Sequence, residues 1–338
     1  MKVASPVLLG AIVLGAAVIA VPAQAASTAY PLTLDNCGTT LTFTAAPQRA
    51  VSVGQSSTEI LYMLGLGDRV AATSVWLGPV AAGYEDINAK IPRLSDNEPS
   101  FESIVATKPD LVAVQFQWLI GPNGVVAGPE QFAELGVPVY TSPADCVGKV
   151  AEDTIDGIRQ DQFSMALIYR EIRELAQIFD VQDKGEALVT ALQQREAAAQ
   201  AKAGAGARSA LFWFSSAEMN VDPYVAGQKG APGYIMKSLG LRNVVETDEE
   251  WPMVGWETIA KADPDIIAIA KMKRRRFAGD DWEKKMEFLK ADPVTREMTA
   301  VKEGRIVVLD AQSMNPTIRT IEGLEAVAAA LEAHGRAQ

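Results

Sequence analysis

The segments Phe101–Val114, FESIVATKPDLVAV, and Trp256–Ile269, WETIAKADPDIIAI, match without a gap 155 residues apart. Each begins with an aromatic residue and Glu, continues through a short helical pattern to Pro-Asp, and ends in an apolar run typical of a buried strand. Upstream of them, Ile60–Leu66 and Ile235–Leu241 share a Leu-Gly-Leu ending. The same order of elements in both halves predicts an α/β protein with two lobes and mainly parallel sheets.

A segment of different composition separates the two halves. Residues 161–206 are predicted to form a helical connector, because Lys184–Ala203 is rich in strong helix formers and a glycine-containing turn follows it. We therefore expect residues 26–160 to form the N-terminal α/β lobe and residues 207–338 the C-terminal α/β lobe. A single long connecting helix between them would keep lobe motion small.

The first 25 residues have the pattern of a secretory signal peptide. A charged start at Lys2 is followed by a short apolar core, Val7–Val21, and an Ala-Gln-Ala site that ends at Ala25. Cleavage there would leave a mature chain of 313 residues (338 − 25). We expect this chain to be soluble, periplasmic and monomeric. Its net charge of −11 over the whole sequence argues against a nucleic-acid partner.

The two cysteines, Cys37 and Cys146, are an even pair in a predicted oxidising compartment. Such a pair favours one disulfide, and the alternative is two free or buried thiols. Cys37 would be the twelfth mature residue (37 − 25), which is too far from the cleavage site to carry an N-terminal lipid.

A helix is predicted to begin at Ser56–Thr58, directly after the strand-like run Ala50–Val53. Glu59 lies in its first turn, ahead of the apolar face. The helix dipole favours a carboxylate there by about 0.3–1 kcal/mol, which is sufficient reason for Glu59 if nothing outside the protein contacts it.

The signal peptide, the paired lobes, the Ser-Ser-Thr-Glu helix start and the Glu-x-Ile…Lys-Pro-Asp-Leu-Val unit together resemble periplasmic solute-binding proteins of ABC importers. The resemblance is to the class that carries ferric siderophores, haem and cobalamin, and it extends from about Tyr30 to Ala326. It implies a ligand in the cleft between the lobes and an ABC permease in the inner membrane as partner. It also implies a surface acidic residue on each lobe that docks on the permease. Glu59 matches the first-lobe position, whereas Lys237 stands near the second.

Ligands of open α/β sheets bind beyond the carboxyl ends of the strands, so the residues after each predicted strand are candidates for ligand contact. Tryptophan and tyrosine suit a large planar ligand, although core packing is the alternative for each aromatic residue. The predicted ligand-binding residues are Gln55, Trp76, Asn97, Gln117 and Trp118 in the first lobe, and Phe214, Tyr224, Trp251, Lys273, Arg274, Arg275, Arg276 and Arg319 in the second.

The run Lys271–Arg276, KMKRRR, is the strongest chemical signal in the sequence, with five cations among six residues. We call it the cation run. It follows a predicted strand directly, so it belongs either to the cleft or to a solvated face. At the cleft it would attract an anionic, oxygen-rich ligand. This favours a ferric siderophore of carboxylate or catecholate type, an Fe(III) chelate carried as cargo with no metal bound directly by the protein and no cofactor.

Cobalamin and haem remain as alternatives within the same importer class. The single histidine, His334, lies in the tail, which argues against a bare zinc or manganese carrier and against haem ligation by histidine. A secreted hydrolase is the distant alternative. Ser56 and Ser57 lie in no G-x-S-x-G turn, and no internal histidine could activate a serine, so we expect no enzyme and no catalytic residues.

Overall fold

The structure is a computed structural model, and it describes Met1 and residues 26–150, 158–203, 208–274 and 276–335. It contains two α/β lobes, each built on a five-stranded sheet, and the predicted fold class is confirmed. Apart from Met1, the predicted signal peptide lies outside the described residues. No helix in these ranges is both long enough and apolar enough to cross a membrane.

The first lobe alternates short strands with short helices. Its strands are β1 (Leu32–Asn36), β2 (Thr39–Phe43), β3 (Ala50–Val53), β4 (Val70–Ser74), β5 (Arg93–Ser95), β6 (Leu111–Val114), β7 (Val139–Thr141), β8 (Lys149–Val150) and β9 (Ile158–Arg159). Its helices are α1 (Gln55–Met63), α2 (Glu85–Asn88), α3 (Phe101–Val105), α4 (Pro129–Ala133) and α5 (Pro143–Cys146). The main sheet is parallel with the order β5-β4-β3-β6-β7, while β1–β2 and β8–β9 form antiparallel hairpins. Strands β3 and β6 are buried along their whole length, as a sheet covered on both faces requires.

The connector consists of two antiparallel helices, α6 (Met165–Ile178) and α7 (Gln182–Gln200), rather than one. The chain reverses at Asp180, whose φ of 57° lies in the left-handed region and therefore interrupts a right-handed helix. A Cβ atom at Gly185 would lie 2.5 Å from the Cβ atom of Ala176, so a glycine is needed where the two helices approach. The predicted long helix Lys184–Ala203 therefore exists as α7, but α6 folds back along it.

The second lobe repeats the alternation. Its strands are β10 (Ser209–Ser215), β11 (Tyr224–Val225), β12 (Arg242–Asn243), β13 (Ile266–Lys271) and β14 (Ile306–Asp310). Its helices are α8 (Ala231–Ser238), α9 (Trp256–Ala262), α10 (Trp282–Ala291), α11 (Thr299–Lys302) and α12 (Thr320–Gly335). The sheet order is β11-β10-β13-β14, β12 also pairs with β10, and only β11 is antiparallel to its neighbour. Helix α7 joins this lobe through the Arg195–Glu325 ion pair of 2.7 Å.

The internal repeat has the same structure in both lobes. The first copy forms α3 and β6, and the second forms α9 and β13. Helices α1 and α8 end at matching glycines, Gly65 with φ 73° and Gly240 with φ 68°. The amide of the following leucine then bonds back into each helix, as in a glycine C-cap. The repeat therefore arises from local sequence that is sufficient to specify a supersecondary unit.

Cys37 and Cys146 form a disulfide, as predicted, with a Cα–Cα distance of 5.6 Å. The bond ties the turn between β1 and β2 to the end of α5. Asn36 strengthens the same junction, since its side chain accepts from the Thr141 amide and donates to the Thr141 carbonyl. The amino-terminal hairpin is thus fixed to the edge strand of the first sheet.

Candidate ligand-binding cleft

The carboxyl-terminal ends of the two sheets face each other between the lobes. Residues after β3, β4 and β5 in the first lobe contact residues after β13 and β14 in the second. Because ligands of open α/β sheets bind beyond these strand ends, this region is the candidate ligand site. Part of it is closed by direct contacts between the lobes, and part of it presents partly exposed aromatic side chains.

A buried ion pair joins the lobes at the centre. The Arg319 guanidinium donates through Nε and Nη2 to the two carboxylate oxygens of Glu59, at 2.8 and 2.5 Å. Glu59 also accepts from the Gln55 side chain and from the Ala81 amide, each at 3.0 Å. Burial alone would lower the pKa of Arg319, but the carboxylates of Glu59 and Asp310 outweigh it and raise that pKa. Arg319 is therefore held charged.

This arrangement corrects the prediction that Glu59 is a surface residue for docking. Glu59 is fully buried, because α1 turns its first residues toward the second lobe rather than toward solvent. Gln55 and Arg319 are buried at 0% and 6% exposure, and both are bound to Glu59 rather than directed at an open cleft. These three residues form an inter-lobe contact.

Two further polar contacts extend this junction. The Gln115 side chain donates to the Gln312 side-chain oxygen at 3.2 Å and accepts from the Ser56 amide at 2.9 Å. The Ile318 amide in turn donates to the Ser56 hydroxyl at 3.3 Å. The end of β6 and the start of α1 are therefore bound to the segment that follows β14.

The cation run lies at the second inter-lobe contact. The amides of Lys273 and Arg274 both donate to the Leu77 carbonyl, at 2.8 and 3.2 Å. The Arg274 guanidinium reaches the Asn97 side-chain oxygen at 3.4 Å, and Arg276 pairs with Glu98 at 2.6 Å. Arg275 lies outside the described residues.

The electrostatics of the cation run reflect this contact. Burial and the neighbouring Arg276 lower the pKa of the Arg274 guanidinium. At Glu98, burial would raise the carboxyl pKa, but the hydrogen bond and charge of Arg276 lower it. Arg274, Arg276 and Asn97, all predicted to contact a ligand, thus contact the opposite lobe in this structure. The Lys273 side chain is exposed.

Aromatic side chains from both lobes lie beside these contacts and remain partly exposed. The first aromatic wall consists of Phe116 and Trp118 after β6, with ring centroids 6.3 Å apart. The second aromatic wall consists of Phe214, Tyr224, Trp251 and Phe277, in two pairs: Phe214 with Trp251 at 4.7 Å and Tyr224 with Phe277 at 6.5 Å. Four of these six residues were predicted from the sequence.

Trp76 belongs to neither wall, contrary to the prediction. It is 2% exposed, its indole nitrogen donates to the Thr73 hydroxyl at 3.2 Å, and the Arg93 guanidinium lies 4.5 Å above its ring. A residue at a strand end can turn into the core as easily as into the cleft, and Trp76 turns into the core.

A buried charge network also joins the two lobes. Lys149 pairs with Asp145 at 2.7 Å within the first lobe, and both Lys149 and Arg159 contact Glu250 of the second lobe, at 3.9 and 3.4 Å. Burial alone would lower the pKa of Lys149, but the Asp145 and Glu250 carboxylates outweigh it and raise that pKa. We call Asp145, Lys149, Arg159 and Glu250 the closure network.

Several residues of the cleft were not among those predicted from the sequence. Phe116 belongs to the strand-end stretch Gln115–Trp118, from which only Gln117 and Trp118 were selected, and Phe277 adjoins the predicted Arg276, where its aromatic character was the available signal. Lys149 and Arg159 lie in the two-residue strands β8 and β9, and Glu250 ends the acidic stretch Asp248–Glu250, so nothing local distinguishes them from surface charges. The predicted Gln117 lies in the chain between the two residues of the first wall, and its amide donates to Asp145.

Within the described ranges, no group of three or more His, Cys, Asp and Glu side chains could hold a metal ion. The side chain of His334 lies outside the described residues.

Comparison with known proteins agrees with this architecture. The chain is 23% identical over 307 residues to an uncharacterised ABC transporter substrate-binding lipoprotein of Bacillus subtilis, YvrC, covering 88% of this chain and 85% of that protein. It is 24% identical over 285 residues to the vitamin B12-binding protein of Vibrio parahaemolyticus, covering 82% of this chain and 86% of that protein. The crystal structure of an ABC-type Fe3+-hydroxamate transport system from Saccharomonospora viridis superposes with a TM-score of 0.72 at 24% identity, over 90% of this chain and 99% of that one.

The sequence profile described as "Periplasmic binding protein" matches residues 51–313, which include both sheets from β3 to β14 and the helical connector. The resemblance to periplasmic solute-binding proteins is confirmed, and the chain belongs to the periplasmic binding protein family.

Proposed function

We propose that the protein captures a cobalamin-type corrinoid between its two aromatic walls and delivers it to an ABC importer. The observation that carries this proposal is the pair of walls itself, six partly exposed aromatic side chains contributed by both lobes. Rigid aromatic rings with large apolar faces suit a flat macrocycle with few charges. On this account the protein is a binder and not an enzyme, and cobalt is part of the cargo.

The contacts of the cation run with the first lobe weaken the argument for an anionic ferric siderophore, the ligand that the sequence favoured. Arg276 is paired with Glu98 of the opposite lobe, so its charge is compensated before any ligand arrives, and Arg274 is hydrogen-bonded to the neutral side chain of Asn97. An anionic chelate would have to compete with these contacts, whereas a neutral corrinoid would not. Similarity to the vitamin B12-binding protein of Vibrio parahaemolyticus supports the same choice.

An anionic ferric siderophore is the second candidate, favoured by the exposed ammonium group of Lys273 beside Arg274. The fold shared with the Fe3+-hydroxamate transport protein is compatible with it. Haem is a weaker candidate, because the chain contains a single histidine and Tyr224 is the one tyrosine of the two aromatic walls.

Equilibrium dialysis of the mature protein against cyanocobalamin, haemin, a ferric catecholate and a ferric hydroxamate tests this order. We expect cyanocobalamin to be retained at one equivalent with little salt dependence. Retention of a ferric catecholate that weakens steeply with salt would overturn the proposal in favour of the second candidate, since screening acts on charged contacts.

For docking on the permease, we propose Glu102 and Glu257 in place of Glu59. They occupy the same position in the two copies of the repeat, in the first turns of α3 and α9, and both are exposed. Two exposed carboxylates at equivalent positions fit a partner that presents cations to each lobe. The absence of a carboxylate near Lys237 then needs no explanation.

We also propose that the protein acts in the periplasm after cleavage at Ala25, as a monomer. The Cys37–Cys146 disulfide supports an oxidising compartment and occupies both cysteines of the chain. N-terminal sequencing of the exported protein and its mass in solution test these two statements.

A further inference from the structure

We propose that the closure network positions Trp251 against the ligand, so that Glu250 and Lys149 control ligand affinity without touching the ligand. The proposal rests on the proposed function for the location of the ligand. Its physical content is a continuous chain of contacts from the first aromatic wall to the second, through side chains that are almost completely buried.

The first link fixes the first aromatic wall. The Gln117 amide donates to Asp145 Oδ2 at 2.6 Å, and the Gln117 side chain donates to the Asp145 carbonyl at 2.8 Å. Gln117 lies between Phe116 and Trp118, whose rings form the wall. The backbone between the two aromatic residues is therefore hydrogen-bonded to Asp145.

The second link crosses the cleft. The Lys149 ammonium lies between Asp145 Oδ1 and Glu250 Oε2, at 2.7 and 3.9 Å, and Arg159 Nε lies 3.4 Å from Glu250 Oε1. The side chains of Asp145, Lys149, Arg159 and Glu250 are 7%, 6%, 0% and 11% exposed. At this depth the attraction is weakly screened, so the position of Glu250 follows that of its two cations.

The third link reaches the second wall. Glu250 precedes Trp251 directly, and the Trp251 ring lies 4.7 Å from the ring of Phe214. Gly230 leaves the space through which the Glu250 side chain passes, because a Cβ there would lie 2.8 Å from Glu250 Cγ. Glu250 thus packs against Gly230, and the next residue in the chain, Trp251, packs against Phe214.

The contacts that cross the cleft are longer than the one within the first lobe, at 3.4 and 3.9 Å against 2.7 Å. Arg159 Nη1 is buried and has no hydrogen-bond partner in the part of the chain that the structure describes. The network thus contains a donor without a partner among the described residues, on the same guanidinium whose Nε lies 3.4 Å from Glu250. Buried ion pairs add little net stability, so we assign this one to orientation.

The test measures cyanocobalamin affinity and Trp251 fluorescence in Glu250→Gln, with Glu249→Gln as the matched control. Glu249 is the adjacent carboxylate and is exposed. We expect Glu250→Gln to weaken binding by about tenfold, which corresponds to 1.4 kcal/mol, and Glu249→Gln to leave it unchanged. The double variant Lys149→Met/Glu250→Gln should lose less than the product of the two single losses, because the same contact is removed twice.

A signal from ligand-free protein separates this proposal from the proposed function. The difference in emission between each protein and its own Trp251→Phe derivative isolates Trp251. Acrylamide should quench that signal more strongly in the Glu250→Gln background than in the parent or in Glu249→Gln. If cyanocobalamin does not bind the parent, the proposed function fails. The quenching measurement still tests whether the closure network positions Trp251, because it needs no ligand.

Glu250→Asp is a second test variant in case Glu250→Gln does not fold. It retains the carboxylate charge on a side chain that is one methylene shorter. Its affinity and its quenching should lie between those of Glu250→Gln and the parent. Unchanged Trp251 quenching in both Glu250 variants, with affinities equal to that of Glu249→Gln, would overturn the proposal.

Discussion

Replacing Arg319 by Met should destabilise the protein by about 3–5 kcal/mol, the cost of leaving a buried charge without its partner. Glu59 has no exposed surface in this structure and accepts four hydrogen bonds, two of them from Arg319. In the variant, the carboxylate would keep the neutral donors at Gln55 and Ala81 and lose both charged ones. Water cannot replace them without separating the lobes.

The assay is urea unfolding at neutral pH, followed by far-UV circular dichroism. Arg195→Met is the matched control, because Arg195 pairs with Glu325 where both side chains are about 40% exposed, and such a pair is worth about 0–1 kcal/mol. The double variant Arg319→Met/Glu59→Gln should recover part of the loss, since it removes the stranded charge. If Arg319→Met lowers the free energy of unfolding no more than Arg195→Met does, the buried Glu59–Arg319 ion pair does not form, and Glu59 would again be available for docking.

Three further predictions concern other parts of the molecule. Burial raises the pKa of Glu171 from 4.5 to about 7, so the folded state binds this proton more tightly than the unfolded chain does. The free energy of unfolding should therefore fall by about 3 kcal/mol as the pH rises from 4.5 to above 7. In urea titrations across this range, Glu171→Gln should lack this pH dependence, whereas the exposed control Glu186→Gln should keep it. The disulfide closes a loop with a sequence separation of 109, so reduction should cost about 4–5 kcal/mol in the chain-entropy model, and two titratable thiols in the denatured, unreduced protein would contradict its existence. Glu102→Arg/Glu257→Arg should abolish transport in cells and leave ligand affinity unchanged, whereas an equal loss of both would locate these residues in the ligand site instead.

The elements that could be predicted are those specified by local sequence. Three features follow from patterns that are local in the sequence: the repeat that forms α3–β6 and α9–β13, the glycine ends of α1 and α8, and the second connector helix. The sequence carries turn signals from Asp180 to Gly185, at the break between α6 and α7, but nothing local shows that the two helices fold back along each other.

The site was harder to predict because its contacts join residues far apart in the chain. Glu59 and Arg319 are separated by 260 positions, and a first-turn glutamate looks the same whether it faces solvent or a second lobe. Trp76 and Trp118 both follow strands, yet one packs into the core and the other stays partly exposed. The sequence therefore identifies the side chains that follow each strand, but tertiary packing determines which of them face the cleft.

The central claim, that ligand is held between the two aromatic walls, is tested most directly by calorimetric titration of cyanocobalamin into the mature protein and into Trp118→Ala/Trp251→Ala. We predict binding of one equivalent in the parent. Loss of a buried tryptophan anchor costs about 2 kcal/mol or more, which is a factor of about 30 per residue, so the variant should bind weakly or not at all. Absence of binding in the parent, or equal affinity in the two proteins, would contradict the account.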